Sequence, residues 1–191
     1  SDLRDSGVEV DGLDEIVVLR GDTPPGTVSF RDFLQRNTGN EAEELDRRRS
    51  QITGSDLGLI MFTSGTTGLP KGVLVEQGPI IRSFGHTARE MSMRTGDRML
   101  VINPFFHAFG FNGAIIPCFM HGATIVPHPI FDVPRVLQRI QDERITVFPG
   151  PPALFQGLLN HPEMEQYDTS SLRAAMTGAA SIPVETVLGM M

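Results

Sequence analysis

The sequence has a single lysine, Lys71, against fifteen arginines. It also has a single cysteine, Cys118, so no disulfide can close within the chain, and a reducing, cytoplasmic setting is the natural expectation. No apolar run approaches the ~20 residues that a membrane-spanning helix requires, so no spanning helix is expected. The opening "SDLRDSGVEVDG" has no basic patch leading into an apolar stretch, so no secretory signal is expected within it. Positive charge is scarce as well. A net charge of −7 argues against a broad nucleic-acid surface, because phosphate backbones reward dense positive charge. The one basic run, Arg47–Arg49, directly follows "EAEELD", and mixed signs at that spacing describe a solvated surface segment better than a phosphate clamp. Internal repeats and low-complexity tracts are absent.

What is present is enough for a folded domain or a tight pair. The chain has 191 residues, 40% of them hydrophobic and 20% charged, within the soluble globular range. "EIVVL" at 15–19 reads as a short strand, and Ser29 is placed to cap a helix through "FRDFLQR". Residues 37–56 are polar and highly charged, which predicts a linker or mobile loop. The expected organisation is thus a strand/helix segment with a charged linker over 1–56 and a second, regular part over 57–191.

In that second part the strand-length runs "LGLIMF", "MLVI", "ATIV", "ITVF" and "LRAAM" alternate with helical patterns. The alternation predicts an α/β fold with a mixed, largely parallel sheet and flanking helices. The clearest helix is "FDVPRVLQRIQDER", with Asp132 as cap, Pro134 in the first turn and Val133, Val136, Leu137 and Ile140 on one face. "FNGAIIPCFMHG" is a shorter candidate, kinked or bounded by Pro117, and "PPALFQGLL" is another that begins with prolines. "SIPVETVLGMM" opens on Pro183 and carries no stop signal after about two turns. The last helix is therefore expected to be cut, and the chain to belong to something longer.

The solitary lysine sits in "FTSGTTGLPKGV", residues 62–73. Glycine-rich turns converge backbone N–H groups on an anion, because glycine reaches positive φ without a Cβ clash; serine and threonine hydroxyls add donors that pivot. Lysine adds a compact charge on a flexible stem. Triphosphate is the obvious guest. The P-loop pattern G-x-x-x-x-G-K-[ST] fits poorly, since Pro70 replaces its second glycine and Gly72 its Mg²⁺-binding hydroxyl. "GVLV" reads as a strand, so a loop between two strands is expected; a phosphotransferase of the P-loop kind would require a helix straight after Lys71. A flexible connection with a solvated lysine is the plain structural alternative.

Eleven consecutive positions, "TSGTTGLPKGV", resemble the phosphate-binding signature of the adenylate-forming superfamily, which includes acyl- and aryl-CoA synthetases, luciferases and peptide-synthetase adenylation domains. The resemblance assigns Thr63, Ser64, Gly65, Thr66, Thr67, Gly68 and Lys71 to the β- and γ-phosphates of ATP. "NPFFHAFG" (103–110) resembles the second motif of that family, placing His107 beside the substrate carboxylate; on the residues alone, a satisfied structural histidine among phenylalanines is the other reading. "MTGAASIP" (176–183) resembles the segment on which adenine stacks, carried to Gly178, Ala179 and Ala180. Ser181 stands where the family usually has proline.

The resemblance implies an enzyme of the acyl-CoA synthetase kind: ATP activates a carboxylic acid to an acyl-adenylate, and coenzyme A then displaces AMP. It implies Mg²⁺ too, although the metal and ribose ligands of the family would lie beyond Met191, so no residue here is assigned to a metal. Lys71 and His107 are the candidate catalytic residues. "PFFHAFGFNG" contains no acid to pair an amino group, which disfavours an α-amino acid and favours a fatty or other lipophilic acid. An isolated fragment of this kind is expected to lack full activity, and a truncated sheet edge invites pairing with a second copy. A non-catalytic nucleotide-binding or assembly module, or an adenylation domain with another acceptor thiol, are the competing functions.

Overall fold

The computed structural model describes residues 12–36, 39, 41–63 and 68–191. The chain divides into two units, Ser1–Ile52 and Thr53–Met191. In the first, strands β1 (Val17–Val18) and β2 (Val28–Ser29) pair in parallel, and helix α1 (Phe30–Leu34) follows. Ser29 caps it: the hydroxyl accepts from the Asp32 amide at 3.1 Å and donates to the Asp32 carboxylate at 2.7 Å.

The charged stretch expected as a linker instead carries helix α2 (Glu41–Gln51). Its order of charge explains the difference. Glu41, Glu43 and Glu44 occupy the first turn and Arg48 and Arg49 the last, so both ends suit the helix dipole. Glu44 meets Arg47 and Arg48 at 2.7 Å each, and Asp46 meets Arg49 at 3.5 Å, all at i,i+3 or i,i+4 spacing. Hydrogen bonds from Arg47 and Arg48 lower the Glu44 carboxyl to about 2. No α2 residue is buried; polarity was legible, but side-chain pairing within the segment supplies order without a core.

In the second unit β3 (Leu57–Thr63) and β4 (Lys71–Glu76) form an antiparallel hairpin, running from Leu57↔Glu76 to Thr63↔Lys71. The signature stretch thus begins at the end of β3 and ends in β4, and Lys71 opens a strand rather than a helix. That rules out P-loop geometry. Helix α3 (Gln77–Glu90) leads into a four-stranded parallel sheet of order β6-β5-β7-β8. Its strands are β5 (Arg98–Val101), β6 (Thr124–Pro127), β7 (Val147–Gly150) and β8 (Ala174–Thr177).

Alternation within these short strands feeds two cores. Leu100 and Phe148 face one cluster with Val136, Leu137 and Ile140 of α5 (Val133–Asp142) and Leu154, Phe155 and Leu158 of α6 (Pro152–Leu159). Met99, Val101 and Val147 face the other, with Ala88 of α3 and Cys118 of α4 (Ile116–His121). Burial on both faces is what a parallel sheet requires. The chain closes on a 3₁₀ turn, Met164–Gln166, and α7 (Val184–Met190). The segment expected as a helix kinked or bounded by Pro117 is a π-helical stretch, Phe109–Ile115, followed by α4, with Pro117 at the boundary in the first turn of the latter. Among the described residues no helix is long and apolar enough to cross a membrane.

Two prolines mark the sheet. Pro127 ends β6, an edge strand where its missing N–H is tolerated. Pro149 lies in β7, an interior strand. It has no amide to donate, and the register between β5 and β7 consists of Met99↔Val147 alone. At the opposite end Asp97 ties the strand starts together. Its carboxylate takes Thr146 Oγ1 at 2.9 Å, the Arg94 amide at 2.8 Å and the Arg173 guanidinium, whose Nε lies at 3.0 Å.

Candidate active site

In an open parallel sheet ligands bind beyond the carboxyl ends of the strands, where the direction of winding reverses. Here the chain leaves β5 for β6 on one side, then crosses to place β7 on the other. The reversal lies between β5 and β7, the pair whose ladder stops early. A cavity of about 190 Å³ opens there. Asn103, His107 and Phe109 contribute from the segment after β5, Gly150 and Pro151 from the end of β7, and Met176, Thr177, Gly178 and Ala179 from the end of β8.

Local sequence shapes each wall. A Cβ on Gly110 would lie 2.1 Å from the Pro104 carbonyl oxygen, so only glycine lets the π-helical stretch fold back against the "NPFF" turn. The His107 amide donates to that same carbonyl at 2.9 Å. Imidazole Nδ1 accepts from the Phe109 amide at 3.2 Å, which leaves the proton of the neutral ring on Nε2, free to donate. At the facing wall Gly178 has open space around a built Cβ, and Ala179 is held at φ 66°. A non-glycine residue in the left-handed region is uncommon and concentrates where ligands bind.

The structure therefore brings His107, Gly178 and Ala179 to one cavity. Ala180 is exposed beside it and does not line it. Thr63, Gly68 and Lys71 lie at the turn end of the β3–β4 hairpin, exposed, with the Thr63 hydroxyl donating to the Lys71 carbonyl at 3.5 Å, and do not line the cavity. Ser64, Gly65, Thr66 and Thr67 lie outside the described residues. Sequence reasoning did not single out Asn103, Pro151 or Thr177. Asn103 and Thr177 stand inside the two motifs quoted above, so the signal was at hand; Pro151 becomes visible only once β7 is known to end at Gly150. Among the described residues no group of three or more His, Cys, Asp or Glu could hold a metal ion.

The sequence profile described as AMP-binding enzyme matches residues 8–190. The chain belongs to this family. It is 44% identical over 166 residues to the 3-[(3aS,4S,7aS)-7a-methyl-1,5-dioxo-octahydro-1H-inden-4-yl]propanoyl:CoA ligase of Rhodococcus jostii (strain RHA1), covering 85% of this chain and 32% of that protein. The protein of the same description from Mycobacterium tuberculosis (strain ATCC 25618 / H37Rv) is 45% identical over 159 residues, covering 83% and 31%. A natural red emitting luciferase from Phrixothrix hirtus superposes with a TM-score of 0.76 at 26% identity, covering 94% of this chain and 35% of that one. The mixed α/β architecture, with its parallel sheet and flanking helices, is that of the N-terminal domain of adenylate-forming enzymes. The chain spans about a third of the length of the curated relatives it matches.

Proposed function

We propose that this chain is the nucleotide- and acid-binding part of a larger CoA ligase that activates a lipophilic carboxylic acid through an acyl-adenylate. The observation that carries the reading is the meeting of His107 with Gly178 and Ala179 in one cavity at the winding reversal of the sheet. These residues come from two motifs about seventy positions apart, and family membership supports their joint use.

The chemistry sets the demands. A carboxylate oxygen forms a bond to the α-phosphorus of ATP while the bond to pyrophosphate breaks and its electron pair leaves with pyrophosphate. Two anions must approach, so the protein contributes by positioning and by charge neutralisation. His107 donates Nε2–H to the carboxylate and leaves the attacking oxygen free. The Lys71 ammonium, with Thr63, Gly68 and the connection between them, holds the departing pyrophosphate. Phe109, Pro151 and Met176 supply apolar walls that exclude water. The thiol of coenzyme A then loses its proton to solvent and forms a bond to the acyl carbon, and AMP departs with the electron pair of the broken C–O bond.

For the acid itself, the two named relatives point to a propanoic side chain on a fused ring, and fatty acids are the second choice. The isolated chain, a third the length of those relatives, is expected to bind nucleotide without turnover. The test is pyrophosphate exchange on the complete polypeptide with a panel of ring-bearing and straight-chain acids. Exchange that requires an acid supports the reading, and Lys71→Ala should slow it. Nucleotide binding with no acid-dependent exchange would leave a binding module instead.

A further inference from the structure

Thr177 is the last residue of β8 and lines the cavity shared with His107. Its Oγ1 is buried and has no hydrogen-bond partner among the described residues, although most buried polar groups in folded proteins are paired. The next two residues are the ones with open space and a left-handed φ. We infer that Thr177 is a further substrate-contacting residue, donating its O–H to the carboxylate of the acid and then to the carbonyl oxygen of the acyl-adenylate. The inference rests on the function proposed above.

Counting donors leads there. A carboxylate withdrawn from water offers about four lone-pair positions. Among the described residues three polar side chains line the cavity: Asn103, His107 and Thr177. With its Nδ1 occupied by the Phe109 amide, His107 supplies one donor only. The Asn103 amide N–H₂ can add donors from the same wall as His107, and from the facing wall the Thr177 hydroxyl, with no acceptor competing for its proton among the described residues, can supply another. In a strand two χ1 rotamers are common, and a step between them is the proposed route by which the buried Oγ1 reaches the acid. The unliganded protein thus carries an unpaired group that binding satisfies.

This arrangement has a signature that a structural hydroxyl lacks. Thr177→Val keeps the side-chain shape and removes an unpaired polar atom, so the ligand-free protein should melt at the same temperature or slightly higher. The same variant should raise KM for the acid about ten- to hundredfold, the range for a hydrogen bond to an ionised partner, while KM for ATP stays within about twofold. Thr177→Ser should restore acid binding. Both variants and the wild type are measured in the complete polypeptide, by pyrophosphate exchange with varied acid and varied ATP and by thermal melting without ligands. Unchanged acid KM in Thr177→Val, a loss confined to ATP, or a lowered melting temperature rescued by Thr177→Ser would each overturn the inference while the proposed function stands. A wild type with no acid-dependent exchange overturns both.

Discussion

Replacing Asp97 tests the claim that the strands forming the cavity are anchored at their far ends. Asp97 is 2% exposed, and both carboxylate oxygens are engaged. Oδ1 takes Thr146 Oγ1 and Arg173 Nε, while Oδ2 takes the Arg94 amide and Arg173 Nη2. Arg173 also donates to the Met91 carbonyl at 3.1 Å. Asp97→Asn preserves shape but turns one acceptor into a donor facing donors, and it strips the guanidinium of its counter-charge. Breaking a buried pair at one partner costs about 3–5 kcal/mol. At roughly 2–4 °C per kcal/mol for a chain of this size, the melting temperature should fall by about 6–20 °C. Urea unfolding reads the same loss as a lower midpoint at unchanged slope. Adding Arg173→Leu should cost less than the sum of the two single changes by about 1 kcal/mol or more, because the second substitution removes an already unpaired charge. The acid dependence has a definite sign. Burial alone would raise the Asp97 carboxyl, but the hydrogen bonds from Arg173, the Arg94 amide and Thr146 outweigh it and hold the group below the ordinary carboxylate range. The folded state therefore binds fewer protons than the unfolded one just below pH ~4. The stabilisation is complete above that value and drains away as pH falls through the lower, folded pKa; Asp97→Asn should lack this fall. A loss under about 1 kcal/mol in Asp97→Asn, or additivity in the double variant, would refute the anchoring argument.

Three further outcomes follow from single positions. Gly110→Ala puts a Cβ 2.1 Å from the Pro104 oxygen, so it should lower the melting temperature and raise KM for the acid together, because His107 and Phe109 move with that turn; normal melting would count against the tight fold-back. Burial, assisted by the negative charge of Asp97, pushes the Cys118 thiol up to about 11, so iodoacetamide at pH 8 should alkylate the native protein on the order of a hundredfold more slowly than the urea-unfolded one, and equal rates would mean the cysteine is not enclosed. Phe148 is fully buried with its ring centroid 5.2 Å from that of Phe155, and Phe148→Ala should cost about 3–5 kcal/mol in urea unfolding, where a loss near zero would place it outside the core.

The sequence reading succeeded where pattern and physics coincide. Strand-length apolar runs became β3 and β5 to β8, and Asp132 caps α5 through the Arg135 amide at 3.1 Å, because periodicity and caps are local signals. α2 was missed for the opposite reason. Its mean composition looks like a linker, and only the spacing of Glu44 to Arg47 and Arg48 reveals a helix. The π-helical stretch was read as an ordinary helix because its register depends on the contact of Gly110 with Pro104, six residues earlier and invisible to a hydrophobic period. In the site, His107, Gly178 and Ala179 were legible as motif residues. Thr177 lies in the same motif, but its unpaired hydroxyl was not legible, since that is a property of three-dimensional surroundings and not of residue type.

The same three strands are held at one end and released at the other. Asp97 and Thr146 precede β5 and β7 and Arg173 precedes β8, so one ionic and hydrogen-bonded knot fixes where all three begin. Further along, the β5–β7 register stops at Met99↔Val147 and Pro149 offers no amide to extend it, whereas β7 and β8 stay paired as far as Gly150↔Thr177. The gap therefore opens on one side of β7 only, between the segment carrying Asn103 and His107 and the paired ends carrying Gly150 and Thr177. A residue with an amide at position 149 could extend the ladder and narrow the cavity. On this argument the proline is a determinant of the site, although it lies in the sheet and touches no reacting group.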